Sequence, residues 1–276
     1  MMRSTRLTLF LISLFGLFLA NGATAQGSFW EPTAADPSLH VRSLFATSGG
    51  IVFAGTDSVL LRSMDLGQRW NASGPAGVNA LAEDASGVLF AVGYYGVHRS
   101  ADEGMTWAEV LPTPTRDLCR GPLGYYDVAV LDQTIMAIGV VEEGNGNCKI
   151  GYRFFRSTDG GETWSTRGFS YSQAIVMNAA GTIFIGSFGG RRGGVGRSTD
   201  KGETWEVVLE RAYYLPVIAL VLNSEEHIFA GIGPGYGNWL GSRGVYRSTN
   251  DGDTWEPVNT GLTDTTITAL AVHTDG

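Results

Sequence analysis

The sequence predicts an all-β fold, a β-propeller of four-stranded blades, and three observations carry the prediction. The first is a nine-residue box that recurs five times: Arg62–Trp70 (RSMDLGQRW), Arg99–Trp107 (RSADEGMTW), Arg156–Trp164 (RSTDGGETW), Arg197–Trp205 (RSTDKGETW) and Arg247–Trp255 (RSTNDGDTW). Its serines stand at 63, 100, 157, 198 and 248, so the units are spaced by 37, 57, 41 and 50 residues. The second is a matching lead-in before each box, seen by setting VNALAEDASGVLFAVGYYGVHRS (Val78–Ser100) beside VIALVLNSEEHIFAG (Val217–Gly231) and GVYRS (Gly244–Ser248). The third is the absence of any sustained helical period, with short apolar runs such as Val88–Val92 in its place. Four short strands per unit at a period of about forty residues describe propeller blades.

Taken in order, the chain opens with a segment that is not part of the fold. Arg3 and Arg6 precede the apolar run Leu7–Ala20, and small residues end in Ala23-Thr24-Ala25. That order predicts a signal peptide over residues 1–25, cleaved before Gln26, and a secreted or periplasmic address. The run is shorter than the roughly 20 residues that span a bilayer, so no membrane insertion is expected after cleavage. Residues 26–276 then form one propeller domain of five full repeats. Phe29–Pro32 (FWEP) matches Thr254–Pro257 (TWEP), which predicts an outer strand donated to the closing blade. Thr266–Gly276 (TITALAVHTDG) matches only the start of a sixth unit, so the domain reads as a fragment, truncated and incomplete at its C-terminal side. An unclosed ring would leave sheet edges open, which propellers avoid.

The box itself is a hairpin between the third and fourth strands. Its first acceptors, Ser63, Ser100, Ser157, Ser198 and Ser248, can bond nearby backbone N–H groups, and so can Asp65, Asp102, Asp159, Asp200 and Asn250. Gly67, Gly104, Gly161, Gly202 and Gly252 supply the positive φ of such a turn. Trp70, Trp107, Trp164, Trp205 and Trp255 then wedge against the blade as the outer strand begins. Asn250 keeps an acceptor without the charge, which a structural role tolerates and acid–base work would not. The arginines that open the boxes repeat with the fold and are read as strand-edge packing.

This S-x-D-x-G-x-T-W pattern resembles the Asp-box (BNR) repeat of sialidase-like and sortilin-like propellers. It is also similar to the repeats of xyloglucanases and of the photosystem II stability/assembly factor family. The resemblance spans nearly all of the mature chain and implies a rigid scaffold with the boxes on the rim away from the ligand. It implies no single chemistry, because one fold serves many functions. Active sialidases carry an aromatic-Arg-Ile-Pro stretch before the first box, where this chain has Val41-Arg42-Ser43-Leu44. No sialidase catalytic residue carries over, and xyloglucanases run to two propellers on a longer chain. Adjacent Glu142 and Glu143 are the carboxylate candidates for glycoside hydrolysis.

Where the repeats differ is where a ligand is expected. Turns after the first strands are short, and expansion falls on the opposite face, in Leu111–Tyr126, Val140–Tyr152, Ser187–Gly196, Leu209–Pro216 and Gly231–Gly244. Long loops on one face of a rigid scaffold commonly carry function. These carry Arg120, Tyr125, Arg191, Arg192, Tyr213, Tyr214, Tyr236, Trp239 and Arg243, a set suited to a glycan, an anionic ligand or a protein loop. The expected function is therefore an exported binding or assembly module, with a glycoside hydrolase as the alternative. The formal charge of −8 and the lack of a basic stripe exclude nucleic acid as a natural partner. The histidines lack metal-ligand spacing, so no metal and no cofactor are expected. Cys119 and Cys148 lie in loops of the same face, and export favours a disulfide between them contributing roughly 3 kcal/mol.

Overall fold

The computed structural model describes residues 39–113, 124–143, 149–169, 172–186, 192–213, 215–233 and 244–272. These form five four-stranded antiparallel sheets, one per repeat. Blade one comprises β1 (Val41–Ala46), β2 (Val52–Thr56), β3 (Leu60–Ser63) and β4 (Asn71–Gly74). Blade two comprises β5 (Val78–Glu83), β6 (Leu89–Gly93), β7 (Gly96–Ser100) and β8 (Ala108–Leu111). Blade three comprises β9 (Gly124–Leu131), β10 (Thr134–Glu143), β11 (Lys149–Ser157) and β12 (Ser165–Phe169). Blade four comprises β13 (Ala174–Met177), β14 (Ile183–Gly186), β15 (Arg192–Ser198) and β16 (Glu206–Tyr213). Blade five comprises β17 (Val217–Leu222), β18 (Ile228–Ile232), β19 (Gly244–Ser248) and the short β20 (Glu256–Pro257). The first strands pack on one another in series, from β1 through β5, β9 and β13 to β17, and so form the axial layer.

Burial follows from that arrangement. Second strands are covered on both faces by neighbouring blades, so β6 and β14 are buried at every residue and their sequences are apolar throughout. Fourth strands face outward, and β8 begins with exposed Ala108 and Glu109. The hydrophobic cores consequently lie between blades. Phe53, Leu60, Leu81 and Leu89 join blades one and two, and Phe90, Val97, Tyr125 and Phe155 join two and three. Met136, Ile138, Ile175 and Ile185 join three and four, and Phe184, Leu209, Val217 and Ile228 join four and five. Each core includes the box tryptophan of the later blade: Trp107, Trp164, Trp205 and Trp255.

The box geometry explains why nine residues recur. In the third box, Ser157 is 1% exposed, donates its Oγ–H to Asp159 Oδ1 at 2.7 Å and accepts the Gly161 N–H at 2.8 Å. Asp159 accepts the Thr163 N–H at 2.9 Å, and Trp164 donates its indole N–H to Gly161 O at 3.0 Å. Gly104 shows why a side chain is excluded: a Cβ there would fall 2.5 Å from the Phe53 ring, at a φ of +80°. Boxes two to five thereby sit on the second strand of the blade before them.

The opening arginines do more than pack at strand edges. Arg62 Nε donates to Glu103 O at 2.8 Å, Arg156 Nη1 to Lys201 O at 3.0 Å and Arg197 Nη1 to Asp251 O at 2.6 Å. The accepting residues hold φ near +57°, +60° and +55°, which turns their carbonyls toward the preceding blade. Each of these arginines therefore latches its own blade to the next box. Arg99 departs from the pattern, with a buried Nε that lacks a hydrogen-bond partner.

Three expected loops are partly strand. The Val140–Tyr152 region zips to the pair Glu143↔Lys149. β15 starts at Arg192, and β16 runs to Tyr213, with which it pairs. Beyond β20, Ile267 donates its N–H to Ile232 O at 3.0 Å and stands against Gly231, the place Val78 takes against Gly55 in blade one. Among the described residues no helix is long and apolar enough to cross a membrane.

Candidate functional site

The first strands share an irregularity at the end that meets the loop face. β1, β5, β9 and β17 each slip register by one residue there, leaving Arg42, Asn79, Tyr126 and Ile218 outside the ladder. Gln173 precedes β13 at the equivalent step of the fourth repeat. A bulge frees a side chain from sheet alternation and re-aims it, and bulges concentrate at rims and binding sites. The axial layer thus presents a guanidinium, two carboxamides, a phenol and an aliphatic side chain at one level. Sequence reasoning missed this set because it followed loop length. Part of the signal was available in the repeat alignment, where V-x-S/A in blades one, two and five flanks a residue that changes chemistry from blade to blade.

Around Arg42 the chemistry is densest. Its guanidinium lies 4.8 Å from the Tyr94 ring centroid, Nη1 donates to Tyr94 Oη at 3.1 Å, and Nε pairs with Asp57. His40 Nδ1 stands 3.3 Å from the other Asp57 oxygen. Tyr94 and Asp57 come from the turns after β6 and β2, so two blades fix one cation. Tyr126 is half-buried, and burial first, then the neighbouring Tyr152 and Tyr94, push its hydroxyl above the usual phenol range. Tyr95 is 56% exposed beside this group. Guanidinium N–H groups, carboxamides and aromatic rings together can hold hydroxyls, a carboxylate or a sugar face.

The sequence-derived ligand residues divide. Arg192 and Tyr213 are brought together as cross-strand partners of β15 and β16. Tyr125 is corrected to a core residue: 1% exposed, its ring packs edge-on against Phe155 at 5.0 Å and its hydroxyl donates to Pro112 O at 3.1 Å. Its first-strand register points the ring into the seam between blades, where burial pushes its hydroxyl up. Arg120, Arg191, Tyr214, Tyr236, Trp239, Arg243, Cys119 and Cys148 lie outside the described residues, as does Phe29–Pro32.

Asp127 and His98 are engaged in the scaffold, while the carboxylate candidates Glu142 and Glu143 stand at the end of β10 with side chains outside the described structure. Asp127 accepts N–H groups from Val128 at 2.8 Å and from Ile175 of the next blade at 2.9 Å. His98 faces Glu109 across β7 and β8, and burial lowers its pKa against the pull of that carboxylate. Among the described residues no three His, Cys, Asp or Glu side chains gather as a metal site.

The fold is that of a BNR-type β-propeller. The profile of the BNR/Asp-box repeat matches residues 155–166, the third box. Two solved structures show the same architecture. An ancestral GH74 enzyme aligns with a TM-score of 0.59 at 19% identity, over 82% of this chain and 32% of its own. The GH74 xyloglucanase from Xanthomonas campestris aligns with a TM-score of 0.59 at 16% identity, over 82% of this chain and 41% of its own. The chain thus spans less than half the length of either, and the likeness is one of fold. No curated protein matches the sequence.

Proposed function

We propose that the chain is an exported β-propeller binding or assembly module that holds its ligand on the loop face, over the axial mouth. The observation that carries this reading is the bulged level of the first strands, where Arg42, Asn79 and Tyr126 stand at one step beside Tyr94 and Asp57. A rigid scaffold that repeats its cores and varies this level is built to change its ligand without changing its fold. A glycan is the favoured ligand, with an anionic group or a protein loop as the other occupants of the same chemistry. Arg192, Tyr213 and the loop residues Arg120, Arg191, Tyr214, Tyr236, Trp239 and Arg243 would extend the surface. The leader at residues 1–25 supports an extracytoplasmic address.

The alternative is a glycoside hydrolase, favoured by the likeness to the two GH74 structures. One experiment separates the readings. The purified protein is incubated with xyloglucan, other β-glucans and fluorogenic sialosides, and both retention and product are measured. Retention without product, weakened about tenfold by Arg42→Ala, is the expected result. Product released above the blank decides for the hydrolase, and neither retention nor product on any glycan overturns the glycan reading.

A further inference from the structure

The seams between blades are built alike but end differently on the box rim. At the seam of blades four and five, Asn178 Nδ2 donates to Asp251 Oδ1 at 2.8 Å and Thr182 Oγ1 to Oδ2 at 3.4 Å. The Ala179 N–H donates to Glu226 Oε2 at 2.9 Å, so turn, box and turn are laced together. At the seam of blades one and two, the corresponding residues are Thr47, Ile51 and Glu103. Thr47 Oγ1 accepts the Ile51 N–H at 3.0 Å, Ile51 offers no side-chain donor, and the Glu103 side chain stays 68% exposed. Turn still bonds to turn at this seam, through Ser48 and Glu83, but the contact from turn to box is replaced by a cleft of about 580 Å³ lined by Ile51, Met64, Glu83, Leu89 and Glu103.

One exposed methionine lines this cleft, and a second follows two residues after Glu103 in the same box. Met64 is 70% exposed and Met105 65% exposed. Boxes three to five carry Thr158, Thr199 and Thr249 where the first has Met64, and Glu162, Glu203 and Asp253 where the second has Met105. In boxes four and five those acids pair with the preceding blade, Glu203 with Arg156 at 2.7 Å and Asp253 with Arg197 at 2.6 Å. The scaffold thus prefers polar residues at both positions, and apolar exposure here is not a requirement of the fold. Thioether side chains adapt to varied partners. The floor of the cleft carries charge: Glu83 is 7% exposed, and its carboxylate is oriented by the Ser48 N–H at 2.7 Å and the Ser48 hydroxyl at 3.1 Å.

We propose that this cleft is a docking groove for an extended segment of a partner protein in which a basic side chain stands between apolar neighbours. Exposed Met64 gives the apolar contact over a floor of buried Ile51 and Leu89. Glu103, which Arg62 reaches only at 3.5 Å, receives the cation with buried Glu83 beneath it, and Met105 extends the apolar contact along the second box. The net charge of −8 steers a cationic segment toward the surface. The groove lies on the rim opposite the loop face, so it stands independently of the ligand proposed there.

The test uses a fluorescein-labelled peptide of alternating leucine and arginine, with leucine–glutamate and serine–arginine peptides of equal length. The leucine–arginine peptide is expected to bind saturably and more tightly than both controls. Met64→Ser and Glu103→Gln should each weaken it about tenfold with unchanged melting, whereas Tyr94→Ala on the loop face should leave it unchanged. Bound peptide should also slow peroxide oxidation of Met64 and Met105 in the unaltered protein, read by mass spectrometry. No saturation, equal binding of either control peptide, or methionine oxidation indifferent to the peptide overturns the proposal.

Discussion

The first box and the four that follow share their hydrogen bonds but not their tryptophan. In box one, Ser63 Oγ accepts the Gly67 N–H at 2.8 Å and Asp65 accepts the Arg69 N–H at 2.8 Å, as in the others. Trp107, Trp164, Trp205 and Trp255 donate to their own box glycine carbonyl and lie in an inter-blade core. The Trp70 indole N–H is buried without a hydrogen-bond partner. Among the described residues no blade precedes box one, whereas Phe53 and Phe154 support Trp107 and Trp205 at 6.3 and 5.9 Å. The turn closes itself locally; the indole is seated by its neighbour.

That contrast can be broken most forcefully at a seated tryptophan. Trp205→Ala, at a partly buried aromatic packed on the core, should cost about 3 kcal/mol, the low end for a buried aromatic, and Trp70→Ala clearly less. Equal losses in denaturant titrations would show that the neighbour contributes nothing.

A subtler probe keeps the ring. Trp205→Phe removes a satisfied indole donor and should cost about 1 kcal/mol. Trp70→Phe removes an unsatisfied one and should stay within about 0.5 kcal/mol of the parent, or stabilise it.

The smallest effect is one of pH. Hydrogen bonds from the Thr106, Thr163 and Thr204 side chains, then from their N–H groups, hold Asp102, Asp159 and Asp200 at about 2 against the ordinary 3.8. A depressed folded value means that their contribution is complete above about pH 4 and fades as pH falls toward 2. Box five already runs without this titration, since Asn250 accepts the Thr254 N–H at 2.9 Å. Changing all three aspartates to Asn should therefore flatten the acid side of a melting-temperature profile between those limits. A parent-like slope would assign the acid sensitivity to other carboxylates.

The blades could be read from the sequence because the box is local: its donors and acceptors stand two to four residues apart, as in Ser157, Asp159 and Gly161. Contacts between blades were not legible in the same way. Arg62 and Glu103 are 41 residues apart, and nothing in either box records that one reaches the other. Tyr125 looked like a loop aromatic because its strand begins at Gly124, earlier than the loop-length argument placed it. The repeat alignment shows that the step holding Arg42 and Tyr126 varies, but that this step leaves the ladder is a property of pairing, visible only once the partner strand is laid beside it.

The latches all point one way along the chain, and this has a consequence for assembly in time. A blade's second strand stays uncovered until the following box arrives: Phe53 and Phe184 are fully buried, while Phe229 of blade five is only partly so. The Arg247 side chain, 38% exposed against 13% for Arg62, folds back onto Glu256 of its own blade. Synthesis from the N-terminus therefore secures each blade one repeat late, and the newest blade is always the loosest. A stalled chain, whose next box has not yet emerged, should offer the second-strand aromatic of its newest blade to proteases and chaperones.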